Sequence, residues 1–305
     1  MVFYKTNMIP LILLILYTRK ENIHLSSPLR ARITLHKKSF CIFIFVHLTK
    51  KEAHRSQRVF KDTFFLNRPL SPVSMIMKPV RLHPWNLSEE EAILLQRHLA
   101  KQVIQEDPSQ PIQYVAGVDV AYDSEEGNHF AAAVILDAHS LEIVEAALAK
   151  VKVSFPYRPG LFSFRELPPI IDALAKLQKK PDLIVCDGQG IAHPRRLGLA
   201  SHLGILFDIP TIGCGKTRLI GEADIPGEKR GDRTPLMDQG EIIGSVLRTQ
   251  DQIKPVYVSV GHRITLQTAC HWILHLAPRY RLPETTRQAD QLVRRAIAMK
   301  NEKKP

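Results

Sequence analysis

Short apolar runs bounded by polar turns alternate with longer amphipathic stretches over most of this 305-residue chain. Residues 114–122 predict a strand, and the polar segment DSEEGNH that follows predicts a hairpin to a second strand at 130–136. A third strand is expected at 141–153, and the brief apolar run 183–186 predicts a buried strand. Further strands are predicted at 209–212, 241–248 and 255–260.

Helical spacing of apolar residues predicts five helices. The first begins after Ser88, a capping residue followed by three glutamates that suit the positive end of the helix dipole, and it runs to about Val103. Hairpin-linked strands followed by alternating helices and strands predict an α/β fold, a mixed sheet with helices on both faces. The other helices are predicted at 167–178, 197–207, 265–276 and 286–299, and residues 222–240 are expected to form an exposed polar excursion.

Residues 1–76 differ in character from the rest of the chain. Their two apolar runs, 9–17 and 40–48, are both shorter than the roughly 20 residues that a membrane-spanning helix needs. We expect an atypical basic extension here, disordered or explained by a translation start at Met75 or Met77. The alternative is an extension that contacts membranes or nucleic acid. The folded domain is expected at residues 77–305.

The net charge of +12 suggests nucleic-acid binding, but its distribution weakens that inference. Residues 1–76 hold 13 Lys and Arg against 3 Asp and Glu, a net of +10, so the 29 basic and 27 acidic residues of 77–305 leave only +2. Nucleic-acid contacts of the folded domain must therefore depend on locally placed charge. The four cysteines are far apart, which indicates reduced thiols in a cytoplasmic protein; they are Cys41, Cys186, Cys214 and Cys270.

The candidate chemistry centres on residues 181–194, PDLIVCDGQGIAHP. Asp187 ends the buried strand, Gly188 and Gly190 permit a sharp turn and the close approach of a ligand, and His193 follows. A carboxylate and an imidazole beside such a loop indicate a metal or proton-transfer site. The alternative is a strand-end turn whose aspartate caps the next helix.

Three other charged residues have positions that suggest chemistry. Asp119 lies in mid-strand between two valines, where a carboxylate is disfavoured, so it either faces solvent or is held for chemistry. Glu166 lies at the start of a predicted helix, where it would equally suit the helix dipole. Lys216 follows a Gly-Cys-Gly segment that suggests a loop allowing its ammonium to reach a phosphate, although this is not a Walker loop.

If the strands that carry Asp119 and Asp187 are neighbours, these carboxylates meet at the sheet centre and repel unless a cation or proton neutralises them. Hard oxygen ligands suit Mg²⁺, with Mn²⁺ as a substitute, and such ions support in-line phosphoryl displacement. Lys216 and His193 could then stabilise charge on the phosphate or position a water. A carboxylate pair also hydrolyses glycosides, but neither tryptophan of the chain lies near a candidate acid.

Five ordered motifs resemble the endonuclease V family of inosine-directed nucleases: VAGVDVAY, FPYRPGLFSFRE, PDLIVCDGQGIAHPRRLGLASHLG, IPTIGCGKTRLIG and PVYVSVGHRITL. The resemblance covers residues 82–276 and implies a ribonuclease H-like fold. It also implies a Mg²⁺-dependent endonuclease of DNA repair that acts on deaminated adenine. Such an enzyme cuts the second phosphodiester bond 3′ to the inosine and leaves 3′-hydroxyl and 5′-phosphate ends.

The resemblance also assigns roles to residues. Asp119, Glu166 and Asp187 are implied to be the catalytic, Mg²⁺-binding carboxylates, with His193 and Lys216 at the active centre near the cleaved phosphate. An aromatic wedge is implied to separate the strands, and main-chain groups are implied to line a pocket for the flipped hypoxanthine. The implied substrate-binding residues are Tyr157, Arg158, Pro159, Gly160, Gly188, Gly190 and His262. His262, in the Gly-His-Arg motif, is also implied to support the metal site.

Two positions depart from the family pattern. Arg158 replaces the aliphatic residue usual between the wedge Tyr and Pro, which adds a cation and removes apolar surface. Val260 replaces a proline before the Gly-His-Arg motif. The expected partner of a monomer without membrane contacts is inosine-containing DNA, and RNA stays open because a 2′-hydroxyl contact depends on pocket detail. The alternative function is a protein that binds inosine or branched nucleic acid without cutting it.

Overall fold

The computed structural model describes residues 77–123, 127–153 and 155–302, together with three strands nearer the N-terminus. The chain divides into two compact units, Met1–Pro72 and Val73–Pro305. The predicted translation start at Met75 and the predicted character of the other N-terminal residues lie outside the described residues. The boundary between residues 76 and 77 therefore stays a prediction.

The first unit contains a three-stranded antiparallel sheet. Its strands are β1 (Ile9–Ile15), β2 (Ile33–Lys38) and β3 (Cys41–Leu48), and β3 lies between the other two. The two apolar runs of the extension therefore form strands that pair with each other.

The second unit is built on one eight-stranded sheet. Its strands are β4 (Tyr114–Tyr122), β5 (Asn128–Asp137), β6 (Ile143–Lys152), β7 (Leu183–Cys186), β8 (Thr211–Gly215), β9 (Arg233–Asp238), β10 (Glu241–Leu247) and β11 (Val256–His262). They lie in the order β6-β5-β4-β7-β8-β11-β10-β9. The three central strands β4, β7 and β8 are parallel, and the other pairings are antiparallel. The predicted mixed sheet is confirmed.

Helices cover both faces of this sheet, as predicted. They are α1 (Glu89–Ala100), α2 (Phe162–Leu174), α3 (Leu199–Phe207), α4 (Leu266–Leu276) and α5 (Glu284–Glu302). One core layer joins α2 and α3 to alternate residues of β4, β5 and β7. On the opposite face, α4 packs against β7, β8 and β11, and α5 packs against β5. Burial of apolar surface on both faces fixes the strands that carry the candidate acids.

Three predicted elements were wrong in their bounds. Helix α2 begins at Phe162 and continues through Pro168 and Pro169, because the buried apolar face of the helix outweighs the lost backbone donors. The glycines before Lys216 lie inside β8 rather than in a loop. The polar excursion at 222–240 contains β9, whose pairing with β10 makes it the edge strand of the sheet.

The helix start at Ser88 is confirmed in detail. The Ser88 hydroxyl accepts a hydrogen bond from the Glu91 backbone N–H, and the Glu91 carboxylate accepts one from the Ser88 N–H. This reciprocal box satisfies donors that a helix end leaves open. In the described part of the chain, three cysteines are free and buried, and no helix is long and apolar enough to cross a membrane.

Helix α5 lies directly on β4, and the contact depends on a glycine. A Cβ added at Gly117 would lie 2.2 Å from the Thr285 carbonyl carbon, at the start of the helix. Near its other end, Lys300 forms an ion pair with Asp123, just after β4. The helix therefore runs alongside the strand from Gly117 towards Asp123.

We predict that Gly117→Ala lowers the free energy of unfolding by about 3 kcal/mol, since α5 must move to admit the new methyl group. The measurement is denaturant unfolding. Gly188→Ala is the matched control, because its Cβ would make only ordinary 3.5 Å contacts with Leu199. Equal stability of the two variants would contradict the packing described here.

Candidate active site

Asp119 and Asp187 lie side by side on neighbouring strands. Strand β4 pairs in parallel with β7 up to Val118 and Cys186, so the next residues along both strands are these two aspartates. Adjacent strands lie about 4.8 Å apart, and consecutive residues alternate between faces, so both side chains project to the same face of the sheet. The predicted meeting of these two carboxylates is confirmed by the strand order.

Helix α5 brings another acid, Asp290, close to these two aspartates. The helix start at Thr285 lies against Gly117, and Asp290 follows five residues later, which brings it level with Asp119 two residues along the strand. The Asp290 charge contributes to a raised pKa at Asp119, and its carboxylate accepts a hydrogen bond from Arg294 at 2.8 Å. Sequence reasoning missed Asp290, although it is the single acid within the predicted basic helix 286–299.

Glu166 approaches the same strand end from the other face. It lies in the second turn of α2 and is 5% exposed, so the alternative role as a first-turn acid that compensates the helix dipole is wrong. The Tyr122 hydroxyl donates a 2.5 Å hydrogen bond to Glu166 Oε1, and the Arg165 guanidinium lies 5.0 Å from the centre of the Tyr122 ring. Strand β4 thus supplies Asp119 and also the group that orients Glu166.

The crowding of negative charge changes the ionisation of these acids. Burial raises the pKa of Asp119 to about 7, and the charges of Asp187 and Asp290 add to the shift. Burial also raises the pKa of Glu166 well above its ordinary value, with Asp119 and Asp187 adding to it, although the Tyr122 hydrogen bond opposes this. A site that holds more negative charge than it stabilises favours a cation.

Lys216 supplies one such cation. It follows β8 directly, and its ammonium contacts Asp187 Oδ2. Burial alone would lower the pKa of Lys216, but the hydrogen bond and charge of Asp187 and the charges of Asp119 and Asp290 raise it. The structure therefore brings Lys216 to the acids, as the sequence predicted, and keeps it protonated.

The donor set also fits a divalent metal. In the described part of the chain, no three His, Cys, Asp or Glu side chains are grouped closely enough to hold a metal ion together. The fit is one of chemistry: carboxylate oxygens are the ligands that Mg²⁺ and Mn²⁺ prefer, and burial, with the charges of Asp187 and Asp290, raises the pKa of Asp119 and so disfavours its charged form unless a cation is near. The acids available to such an ion are Asp119, Glu166, Asp187 and Asp290.

The predicted wedge loop, residues 157–160, is exposed at its tip. Tyr157 is 64% exposed, and its neighbour Arg158 forms an ion pair with Glu89 at 3.3 Å. The loop closes with a hydrogen bond from the Leu161 N–H to the Arg158 carbonyl at 3.0 Å. Pro159 and Gly160 occupy the central positions of this turn, and the positive φ of Gly160 (+76°) is the conformation that such a turn requires.

His193 is placed at the base of this loop. Its Nε2 lies 3.0 Å from the Gly160 carbonyl oxygen, and its Nδ1 accepts a hydrogen bond from the Arg195 N–H at 3.2 Å. Burial, together with the Arg195 charge, lowers the pKa of His193 to about 4, so the ring is neutral at pH 7. Both ring nitrogens are engaged, which favours a positioning role, and the predicted role near the phosphate stays a prediction.

The other predicted substrate-binding residues lie in different surroundings. A Cβ at Gly190 would lie 1.9 Å from the Val260 carbonyl oxygen, so this glycine permits close packing on β11. Gly188 has only ordinary contacts, which leaves its predicted place in a pocket wall a prediction. His262 pairs with Thr211 at the opposite end of β8 from Lys216, roughly 15 Å away, which does not support its predicted role beside the metal.

His262 instead belongs to a buried structural cluster. Its Nδ1 accepts a hydrogen bond from the Ile104 N–H, and its Nε2 lies 3.2 Å from Asp208 Oδ1. Arg263 donates to both oxygens of the same carboxylate, at 2.8 and 3.0 Å. These contacts hold the end of β11 to α3 and to the segment after α1.

A cavity of about 460 Å³ opens beside Lys216, with several basic residues in its wall. Two of them are structural: Arg248 and Arg281 donate hydrogen bonds to backbone carbonyls. Arg218 and Lys254 are exposed and face the same cavity. This side of the site therefore offers positive charge next to the acids.

Clustered carboxylates at the end of central parallel strands, with a lysine among them and a basic cavity alongside, are typical of metal-dependent phosphodiesterases. The protein family follows from the comparisons. The family model for Endonuclease V matches residues 97–291. The chain belongs to the Endonuclease V family.

Individual members of the family are similar to this chain over most of their own length. Endonuclease V of Nostoc sp. is 56% identical over 211 residues, which span 69% of this chain and 96% of the relative. The crystal structure of Endonuclease V from Streptomyces avermitilis has 50% sequence identity and a TM-score of 0.69, over 73% of this chain and all of that one. The predicted family, the ribonuclease H-like fold and the endodeoxyribonuclease activity are thus confirmed.

One solved relative contains nucleic acid. Endonuclease V of Ciona intestinalis was solved in complex with a 24mer DNA containing an inosine followed by a ribo-adenosine. It has 27% sequence identity and a TM-score of 0.60, over 68% of this chain and 96% of that one.

We predict that Asp119→Asn stabilises the protein at pH 8 in the presence of chelator and has little effect near pH 4. The folded wild type keeps this proton up to about pH 7, whereas the unfolded chain releases it near the ordinary value of 3.8, so wild-type stability falls as pH rises between them. The gain at pH 8 is at most about 4 kcal/mol. The measurement is denaturant unfolding across pH.

The matched control is Asp172→Asn, which changes an exposed acid of α2. Because this side chain lies at the surface, its substitution should change stability by less than about 0.5 kcal/mol. If the stability difference between Asp119→Asn and wild type does not change with pH, the pKa of Asp119 is not raised in the folded protein, which would contradict its burial beside other acids.

Proposed function

We propose that this protein is a Mg²⁺-dependent endonuclease that nicks DNA at the second phosphodiester bond 3′ to a deoxyinosine and thereby starts repair of deaminated adenine. The observation that carries the proposal is the pairing of Asp119 with Asp187 at the end of two parallel strands, with Lys216 in contact. The inosine bound in the Ciona intestinalis relative supports the choice of lesion.

In this proposal, the acids around Asp119 hold the metal, which when bound would stabilise charge on the phosphate and activate a water. Asp119 and Asp187 are the central ligands, with Glu166 and Asp290 beside them. Tyr122 keeps Glu166 oriented through its hydroxyl, so that a buried carboxylate is not free to turn away. Lys216 carries a positive charge that can meet a phosphate oxygen at the same strand end.

Substrate recognition requires that the inosine leave the helical stack. An inosine pair is weaker than a normal pair, so opening it costs less. Tyr157, held exposed at the tip of a proline-bounded loop, would fill the gap, as intercalating side chains do in other proteins. Arg158 would be drawn from Glu89 to a phosphate, which adds a contact that an aliphatic wedge residue lacks.

We predict that Asp187→Ala and Asp290→Asn each lower cleavage of a deoxyinosine duplex by more than about 100-fold in Mg²⁺, since groups that merely support metal ligands already account for 10- to 100-fold. Binding should be retained. The measurement is nicking and gel-shift binding of end-labelled duplexes carrying one deoxyinosine, with Asp172→Asn as the control. Full activity of Asp187→Ala would refute the proposed centre, and binding without nicking by the wild type would favour the non-catalytic alternative.

The choice between DNA and RNA is tested in the same assay. Matched duplexes carry either a deoxynucleotide or a ribonucleotide after the inosine, and a third probe is inosine-containing single-stranded RNA. Preferred nicking of the all-DNA duplex supports the proposed repair role. Exclusive nicking of RNA would move the substrate class to RNA.

We further propose that residues 77–305 form the catalytic domain and that residues 1–76 add only non-specific affinity. Because each phosphate contact steepens the dependence of binding on salt, the full chain should show a steeper slope of log affinity against log salt than a chain starting at Met77. The measurement is duplex binding between about 50 and 200 mM salt. Equal slopes would refute a binding role for the N-terminal residues.

A further inference from the structure

The base of the wedge loop is held by an unusual convergence of donors on one oxygen. Three side chains contact the Gly160 carbonyl: Gln96 Nε2 at 3.0 Å, His193 Nε2 at 3.0 Å and Arg195 Nη2 at 2.6 Å. A carbonyl oxygen has two lone pairs, so this acceptor is fully used. We call these four residues the Gly160 clamp.

The members of the clamp also bind one another. Arg195 Nε donates to Gln96 Oε1 at 2.5 Å, and the Arg195 N–H donates to His193 Nδ1 at 3.2 Å. Gln96 is completely buried, and its amide also donates to the Leu197 carbonyl at 3.2 Å. A buried polar network in which every member is satisfied is rigid and specifies one arrangement.

The clamp connects the wedge loop to the loop that follows β7, two segments that no strand pairing connects. Gly160 lies in the turn that follows Tyr157 in the wedge loop, whereas His193 and Arg195 follow Asp187 on the loop after β7. Gln96 belongs to α1 and bridges the two. The tip of the loop is exposed, so its position relative to the carboxylates depends on how its base is fixed.

The guanidinium of Arg195 has neutral partners in this network. In this network it donates hydrogen bonds to a backbone carbonyl oxygen and to a side-chain amide oxygen. Partial burial lowers its pKa, and nearby Arg97 adds to that effect. The charge of Glu89 opposes this lowering. Because the planar guanidinium donates to two acceptors of different residues at once, its role in the network is geometric.

We propose that Gln96 and Arg195 are positioning residues that fix the wedge at a set distance from the catalytic carboxylates, so that strand opening and cleavage occur in register. This inference rests on the proposed function. The clamp matters where paired strands must be forced apart, and it matters less where they are already open. A misplacement of about 1 Å can reduce catalysis about 100-fold.

The test compares two DNA substrates of identical sequence around one deoxyinosine: a fully paired duplex and a duplex in which the inosine lies in an unpaired bubble. For Gln96→Leu, kcat/KM on the paired duplex should fall at least tenfold more than on the bubble. Arg195→Lys, which keeps the charge but loses the planar fork, should shift the ratio in the same direction. The control is Gln102→Leu. Gln102 lies just beyond the end of α1, and its side chain accepts a hydrogen bond from Arg81 that this substitution removes.

Each outcome has a separate meaning. Equal losses of kcat/KM on both substrates would overturn the proposed positioning role, because a purely structural defect does not distinguish paired from open DNA. Unchanged activity of both variants would overturn it as well. If Gln96→Leu fails to fold, as judged by thermal unfolding, the partly exposed Arg195→Lys decides the result. Failure of the wild type to cut either substrate would overturn the proposed function instead.

Discussion

Asp119 and Asp187 occupy adjacent positions on two paired strands, so two negative charges lie within about one strand spacing of each other. Burial raises the pKa of Asp119, and the like charges of Asp187 and Asp290 raise it further, so the two carboxylates are costly to keep ionised together. The sheet does not remove the repulsion. It holds the charges in place through the core on both faces, and Lys216 offsets part of their charge.

Much of the surrounding structure serves to bring other groups to this strand end. Gly117 lets α5 lie close enough to deliver Asp290, and Gly190 lets the loop after Asp187 pack onto β11. Tyr122 reaches from β4 to Glu166 on the opposite face. The acids therefore come from two strands and two helices, and their meeting depends on long-range packing rather than on any local motif.

That origin explains what could be predicted from the sequence. Asp119 was recognisable because a carboxylate between valines contradicts the pattern of its strand, and Asp187 because it ends a buried run before glycines. Asp290 gave no such local signal, since an acid on a half-exposed helix is ordinary and only packing against Gly117 places it at the site. The start of α2 was predicted too late because prolines are tolerated in the first turn of a helix and disfavoured in its interior, and β9 was missed because an edge strand can remain polar.

The same limit applies to histidines. The resemblance implied that His193 lies at the active centre and that His262 binds substrate and supports the metal site, and these roles stay predictions. In the structure, both ring nitrogens of each histidine contact other groups of the protein. A motif fixes which residue is present and not which neighbours its side chain meets. For His193 those neighbours are the wedge loop and Arg195, so its effect on the reaction would pass through the position of Tyr157. The contacts of a histidine six residues after Asp187 thus depend on how the loop after β7 packs against other segments, and not on its short distance along the chain from that aspartate.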